Sequence, residues 1–179
     1  MNRNNLEREW HKLSTPWIRE AREGRNPTRT GLLDKPMLEA CGNVEGLKIL
    51  DCGCGEGRFC RILAAKGAEY VFGLDLCKPM RSAVGQWHRT DDGEKQHVIL
   101  DRYFDEGERR WKMMGVEFTN FHRSLSTYTC GFVKAGFRID SITEPTVTKE
   151  QLASYPELDD ELRVPNFIIY ILRKPSGNL

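Results

Sequence analysis

The residues whose types and spacing can do chemistry gather in one stretch, Lys48-Ile49-Leu50-Asp51-Cys52-Gly53-Cys54-Gly55-Glu56-Gly57-Arg58-Phe59. Three alternating glycines allow a sharp turn and leave no side chain between the backbone and a ligand. The apolar run before them predicts a short buried strand, and the residues after them a helix. That helix would turn its free N–H groups and the positive end of its dipole toward whatever occupies the turn. Further on, Tyr70-Val71-Phe72-Gly73-Leu74-Asp75 predicts a second strand ending in an acid. A carboxylate placed there is set to accept hydrogen bonds from ribose hydroxyls.

The glycine spacing separates two cofactor classes. The dinucleotide fingerprint G-x-G-x-x-G puts its third glycine at the helix–strand contact. Here the spacing is G-x-G-x-G and Arg58 stands at that place, which disfavours a nicotinamide-dependent oxidoreductase. Leu50–Gly57, with Asp51 two places before the first glycine, resembles the first motif of the class I S-adenosylmethionine-dependent methyltransferases. Gly73-Leu74-Asp75-Leu76 with Met80 resembles their second strand and the segment after it. The resemblance implies an α/β fold with a Rossmann-like sheet, S-adenosylmethionine as cofactor and a small-molecule methyl acceptor. Carried over by position, it implies Asp51, Gly53, Cys54 and Gly55 around the methionine part of the cofactor and Asp75 at its ribose. Gly57 and Leu76 complete the expected cofactor-binding set.

Methyl transfer asks little of side chains, because the sulfonium is already an activated donor. The protein must align the acceptor and exclude water, and a hydroxyl acceptor gains from a general base. His122, beside Arg123, is the candidate base, with His88 and His97 behind it. Tyr103 and Tyr128 are candidates for pocket walls or for core. The six cysteines include Cys52, Cys54 and Cys60, but structural zinc prefers paired C-x-x-C spacings and none is present, so no metal site is expected. Cys52 and Cys60 are expected to pack as small buried groups.

Composition bounds the rest. The chain has 179 residues, the size of one domain, and a formal net charge of +1, so no nucleic-acid partner is implied. No apolar run approaches the ~18 residues of a membrane span, and the charged start has no signal-peptide core. A cytoplasmic protein with reduced thiols and no membrane contact is the expectation.

The elements that must position this chemistry follow from local signals. Residues 1–46 read as an N-terminal helical lid, 47–84 as the cofactor-binding half, 85–123 as loop and β-ribbon, and 124–179 as C-terminal helix and strands of one domain. In the lid, Leu6, Trp10 and Leu13 share a helical face; Thr15-Pro16 predicts a fresh helix start, and Gly24 its end. Trp10 and Trp17 are candidates to line the lid or to pin it to the core. Arg25, Arg29 and Thr30 read as connecting loop, and Asp34 as cap of a helix from Lys35 to Cys41. Phe59, Ile62 and Leu63 form the core stripe of the helix after the glycine turn. Lys78–Val84 reads as one or two helical turns and Gly85–Gln96 as loop. His97–Phe104 and Gly115–Phe121 read as a ribbon turning at Asp105-Glu106-Gly107. Ser124–Ala135 reads as a helix with Leu125, Tyr128, Phe132 and Val133 inward, and Phe137–Ile142 as a strand. Thr148-Lys149-Glu150-Gln151 is a capping box, Pro156 starts another turn, and Phe167–Leu172 reads as a central strand buried on both faces.

Asp75 is followed almost at once by Met80–Trp87, which looks like the segment after strand five of the resembling family. The expected third to fifth strands are absent, a gap of ~60 residues or more at ~30 per strand–helix unit. Lys48–Cys52 would then keep a bare edge, and so would Phe167–Leu172. Unpaired backbone on apolar strands invites a second chain, so a homodimer, with or without exchanged elements, is the expectation. The shortened sheet also admits a different reading, a non-catalytic remnant serving as a dimeric scaffold or binding module.

Overall fold

A computed structural model of the chain describes residues 3–24, 26–74, 86–113 and 115–175. It is an α/β structure. Helix α1 (Arg3–Arg22) leads through a π-helical segment (Thr28–Leu33) into α2 (Asp34–Cys41). Strand β1 (Lys48–Cys52), α3 (Arg58–Ala65) and β2 (Tyr70–Leu74) follow. Next come two hairpins, β3 (Gln86–Arg89) with β4 (Lys95–Ile99) and β5 (Gly107–Met113) with β6 (Val116–His122). Helix α4 (Leu125–Lys134), β7 (Arg138–Thr143), α5 (Lys149–Ser154), a 3-10 turn (Pro156–Leu162) and β8 (Ile169–Arg173) complete it. No described helix is long and apolar enough to cross a membrane.

The β1–β2 pair is parallel and in register, Leu50 opposite Phe72 and Asp51 opposite Gly73. This is the strand–turn–helix–strand unit that the glycine spacing predicts, and Leu63 of α3 is buried. The burial of β1 is not as expected. Leu50 is 59% and Phe72 51% exposed, because among the described residues the sheets are all two-stranded and β1 pairs with β2 alone. Cys52 lies on the same exposed face. Likewise β8 pairs only with β7 and is half-buried rather than enclosed on both sides.

Among the described residues, two small cores hold the rest. In one, Leu32, Leu33, Val147 and Leu158 pack with Tyr155 and Phe167. Gly31 admits this contact: a Cβ there would lie 2.7 Å from the Tyr155 ring. In the other, Trp10 and Leu13 of α1 pack on Phe118 of β6, with Trp111 and Val116 beside them. The Trp10 and Phe118 rings meet edge to face at 4.5 Å between centroids. Trp10 therefore pins the helix to the ribbon. Glu9 adds a polar tie, accepting the Thr119 backbone N–H at 2.9 Å on the strand edge that β5 leaves open. Arg110 donates to the same carboxylate and holds it below the usual range.

Several local expectations change. Thr15-Pro16 does not restart the helix: α1 runs through with Pro16 inside, the packing of Trp10 and Leu13 outweighing one withheld N–H. The Leu6 side chain and Arg25 lie outside the described residues, whereas Arg29 and Thr30 are π-helical rather than loop. Asp34 is not a cap; Leu33 before it is already helical. The segment read as loop before residue 96 contains β3, folded onto β4 by a turn in which Gly93 takes φ +91°. The ribbon is displaced: Gly107–Met113 pairs with Val116–His122, with Gly115 at φ +76° just before the second strand, while 100–106 is loop. In α4, Tyr128 and Phe132 are half-buried as expected but Leu125 and Val133 are exposed. The capping box is present in both halves, Thr148 Oγ1 taking the Gln151 N–H and Gln151 Oε1 the Thr148 N–H. The Lys78–Val84 helix lies outside the described residues.

The aromatic contact gives a direct check. Trp10→Ala is expected to cost about 3 kcal/mol of unfolding free energy, measured by urea denaturation. A loss below about 1 kcal/mol would mean that α1 is not held by the ribbon.

Candidate functional site

The glycine turn is built as its sequence requires. Gly53, Gly55 and Gly57 take φ +91°, +57° and +81°, backbone that L side chains rarely adopt. A Cβ built on Gly53 or Gly55 would meet nothing within 4 Å among the described residues, which leave the space before the turn open. Gly57 is the N-cap of α3 and offers no side-chain cap to that helix's first N–H groups. The turn is therefore a backbone cradle with a helix N-terminus at its rim.

Asp51 is the penultimate residue of β1, at the base of the turn. Its Oδ2 accepts the Cys60 thiol at 3.2 Å. Burial first, and this bond second, push the Cys60 thiol up to about 11, so it stays protonated and remains a donor. Burial and the Asp51 charge raise the Cys41 thiol in the same direction. Cys54 and Cys60 converge on Gly73 of β2, where a Cβ would lie 2.8 and 3.0 Å from their sulfurs. Gly73 is thus needed for strand β2 to lie close against the turn. Asp75 and Leu76 lie outside the described residues.

Charge pairings that sequence reasoning missed hold the turn in place. Arg58, first in α3, donates two hydrogen bonds of 2.6 Å to the carboxylate of Asp34 on α2. Glu56, its side chain 4% exposed, accepts Arg61 at 2.7 Å and faces Arg22 of α1 at 3.9 Å. A pairing such as Arg58 with Asp34 spans 24 positions and leaves no local signal.

His122 sits elsewhere, at the end of β6, and is fully buried. Its Nε2–H donates to the Tyr103 carbonyl at 2.6 Å, since a carbonyl only accepts. Nδ1 is buried and has no hydrogen-bond partner among the described residues. The Tyr103 hydroxyl accepts the Leu125 N–H at 2.7 Å, and Glu106 accepts both the N–H and the hydroxyl of Ser124, the α4 N-cap. His122, Tyr103 and Glu106 thereby seat the loop 100–106 on the start of α4. Arg102 in that loop takes φ +53° and pairs with Asp105 at 2.7 Å. His88 and His97 are exposed on the β3–β4 hairpin, Tyr128 is half-buried against Phe132, and Trp17 is half-buried on α1.

A family model described as a methyltransferase domain matches residues 19–156. The chain belongs to this methyltransferase-domain family. The glycine turn, β1, β2 and the ribbon all fall inside the match, so the class I resemblance read from Leu50–Gly57 holds. A ubiquinone biosynthesis O-methyltransferase of Leptothrix cholodnii is 35% identical over 69 residues, 38% of this chain and 27% of that protein. An uncharacterised Haemophilus influenzae protein is 40% identical over 50 residues, 27% of this chain and 20% of that one. The chain thus spans about a quarter of the length of the curated relatives it matches. A candidate S-adenosylmethionine-dependent methyltransferase from Listeria monocytogenes superposes with a TM-score of 0.65 at 22% identity, over 79% of this chain and 95% of that one. The S-adenosylmethionine-dependent methyltransferase of Mesorhizobium loti gives 0.60 at 24%, over 76% and 93%. At these identities the two structures establish the fold of the methyltransferase domain.

Glu106 supplies a pH test of the loop seat. The hydrogen bonds from Ser124 and then Thr127 hold its carboxyl at about 2, against a usual 4.5. A lowered folded value stabilises above the unfolded value and is lost as pH falls through the folded one. The stability gap between wild type and Glu106→Gln should be full above pH ~5 and shrink steadily toward pH ~2 in urea titrations. A gap that is flat across this range would contradict the assignment.

Proposed function

We propose that the methyltransferase domain binds S-adenosylmethionine at the glycine turn and transfers its methyl group to a small-molecule acceptor. The observation that carries this reading is the open cradle at Gly53 and Gly55, backed by the helix N-terminus at Gly57. When bound, the cofactor supplies a methyl on a sulfonium, an electrophile that needs no activation. The turn at Asp51, Gly53, Cys54, Gly55 and Gly57 would hold its methionine part through backbone groups, and Asp75, with Leu76 beside it, would take the ribose. The α1–α2 segment, tied to the turn by Arg22–Glu56 and Asp34–Arg58, would limit water at the reacting centre. His122 enters this reading as the seat of the loop 100–106; proton transfer through Nδ1 would require that loop to lift, because the ring is enclosed.

A second reading rests on a different observation. The exposed apolar face of β1–β2 and the two-stranded sheets favour a shortened sheet, without the usual third to fifth strands, that associates as a homodimer and serves as a scaffold. We place either form in the cytoplasm, the compartment that keeps its thiols reduced.

Calorimetry with S-adenosylmethionine and, separately, a dinucleotide tests the first reading, and light scattering on the same sample tests the second. Weak saturable heat with S-adenosylmethionine alone is expected. Asp75→Ala should weaken it about tenfold or more, the loss of hydrogen bonds to a charged acceptor. No heat at millimolar cofactor would remove the catalytic reading. A compact monomer would remove the dimeric one.

A further inference from the structure

The β3–β4 hairpin is fixed on one face and bare on the other. Trp87 faces the 3-10 turn: its indole N–H donates to Asp160 at 3.2 Å, and the Arg163 guanidinium lies 4.6 Å from its ring centre. Lys95 pairs with Asp159 at 2.6 Å and Asp160 at 3.5 Å, and Arg163 donates to the carbonyls of Lys95 and Gln96. These contacts clamp the hairpin to the segment 156–163. Side chains alternate across a strand, so His88 and His97 project from the other face, and both are exposed.

His88 and His97 are directly opposed in the strand register. Their rings stack 4.8 Å apart between centres and 9° from parallel. Opposed residues of an antiparallel pair have Cβ atoms only ~5 Å apart, so two imidazoles are delivered side by side on a backbone already held in place. Neutral imidazole is a ligand for borderline divalent metals, and exposed rings turn about their side-chain bonds at little cost. No group of three or more metal-ligating side chains is found among the described residues, so the pair would leave further coordination positions to water or to an external ligand.

We propose that His88 and His97 together form a two-imidazole site for a borderline divalent transition metal ion, of the class Ni2+, Cu2+ or Zn2+. The rigid docking of the hairpin is what distinguishes it from two surface histidines, because the cost of bringing the rings together is met by the fold rather than by the ion. The site is separate from the glycine turn and does not depend on the cofactor reading. Following the general order of divalent affinities, Cu2+ should bind more tightly than Ni2+.

The experiment is calorimetric titration of the full chain, reduced with a phosphine and stripped of metal, with NiCl2. Saturable binding of one ion per chain is expected. His88→Asn and His97→Asn should each weaken it by more than about tenfold, while His11→Asn, a change on the exposed side of α1, should leave it unaltered. Imidazole resonances of the wild-type protein give a readout independent of any variant's folding: Ni2+ should broaden those of His88 and His97 first. Failure to bind at millimolar Ni2+, equal binding by the His88→Asn protein, or broadening that spares both rings would overturn the site.

Discussion

The paired hydrogen bonds between Arg58 and Asp34 are the constraint on which the site depends. A glycine turn cannot hold itself, since the freedom that lets Gly53, Gly55 and Gly57 adopt positive φ is freedom the folded state must remove. The guanidinium fork fixes the first residue of α3 against α2 in two directions at once. Both side chains are about three-quarters or more covered, at 25% and 20% exposure, so the pair is shielded from much of the solvent that would weaken it. Removing one partner would leave the other charge half-buried and uncompensated. Glu56, two residues earlier, repeats the arrangement, held by Arg61 from α3 and faced by Arg22 from the end of α1. Between these ties the turn keeps one shape.

That shape explains what Asp51 and the cysteines do. Asp51, the last residue but one of β1, is occupied by the Cys60 thiol, which burial keeps protonated. Cys54 and Cys60 close over Gly73, and β2 can approach only because position 73 has no side chain. The thiols are packing groups of the cradle wall. On its far side the same strand pair shows Leu50 and Phe72 to solvent. Among the described residues β1 pairs with β2 alone, and helix α3 and the charged ties pack the pair into the rest of the fold.

Legibility in the sequence followed the range of the interaction. The unit from Lys48 to Leu74 was readable because its glycines, apolar runs and helix stripe are local and agree with one another. The Thr148–Gln151 capping box, a three-residue exchange of hydrogen bonds, was equally readable. The break expected at Thr15-Pro16 did not appear, because Trp10 and Leu13 dock on Phe118, more than a hundred positions away, and the helix follows its packing. Asp34 looked like a cap and is instead the partner of Arg58. The ribbon was foreseen with the wrong strand, since Asp105-Glu106-Gly107 carries strong turn chemistry yet serves to seat a loop on α4. His122 was legible as a histidine near a functional-looking ribbon, but its commitment to the Tyr103 carbonyl was not.

The central claim is that a preorganised glycine turn receives the cofactor. Amide hydrogen exchange, followed by mass spectrometry with and without saturating S-adenosylhomocysteine, tests it most directly. The account predicts slowed exchange concentrated in residues 52–59 and in the segment from β2 through Asp75, with the β5–β6 ribbon unchanged. Unaltered exchange at residues 52–59, with protection in the ribbon or nowhere, would contradict it.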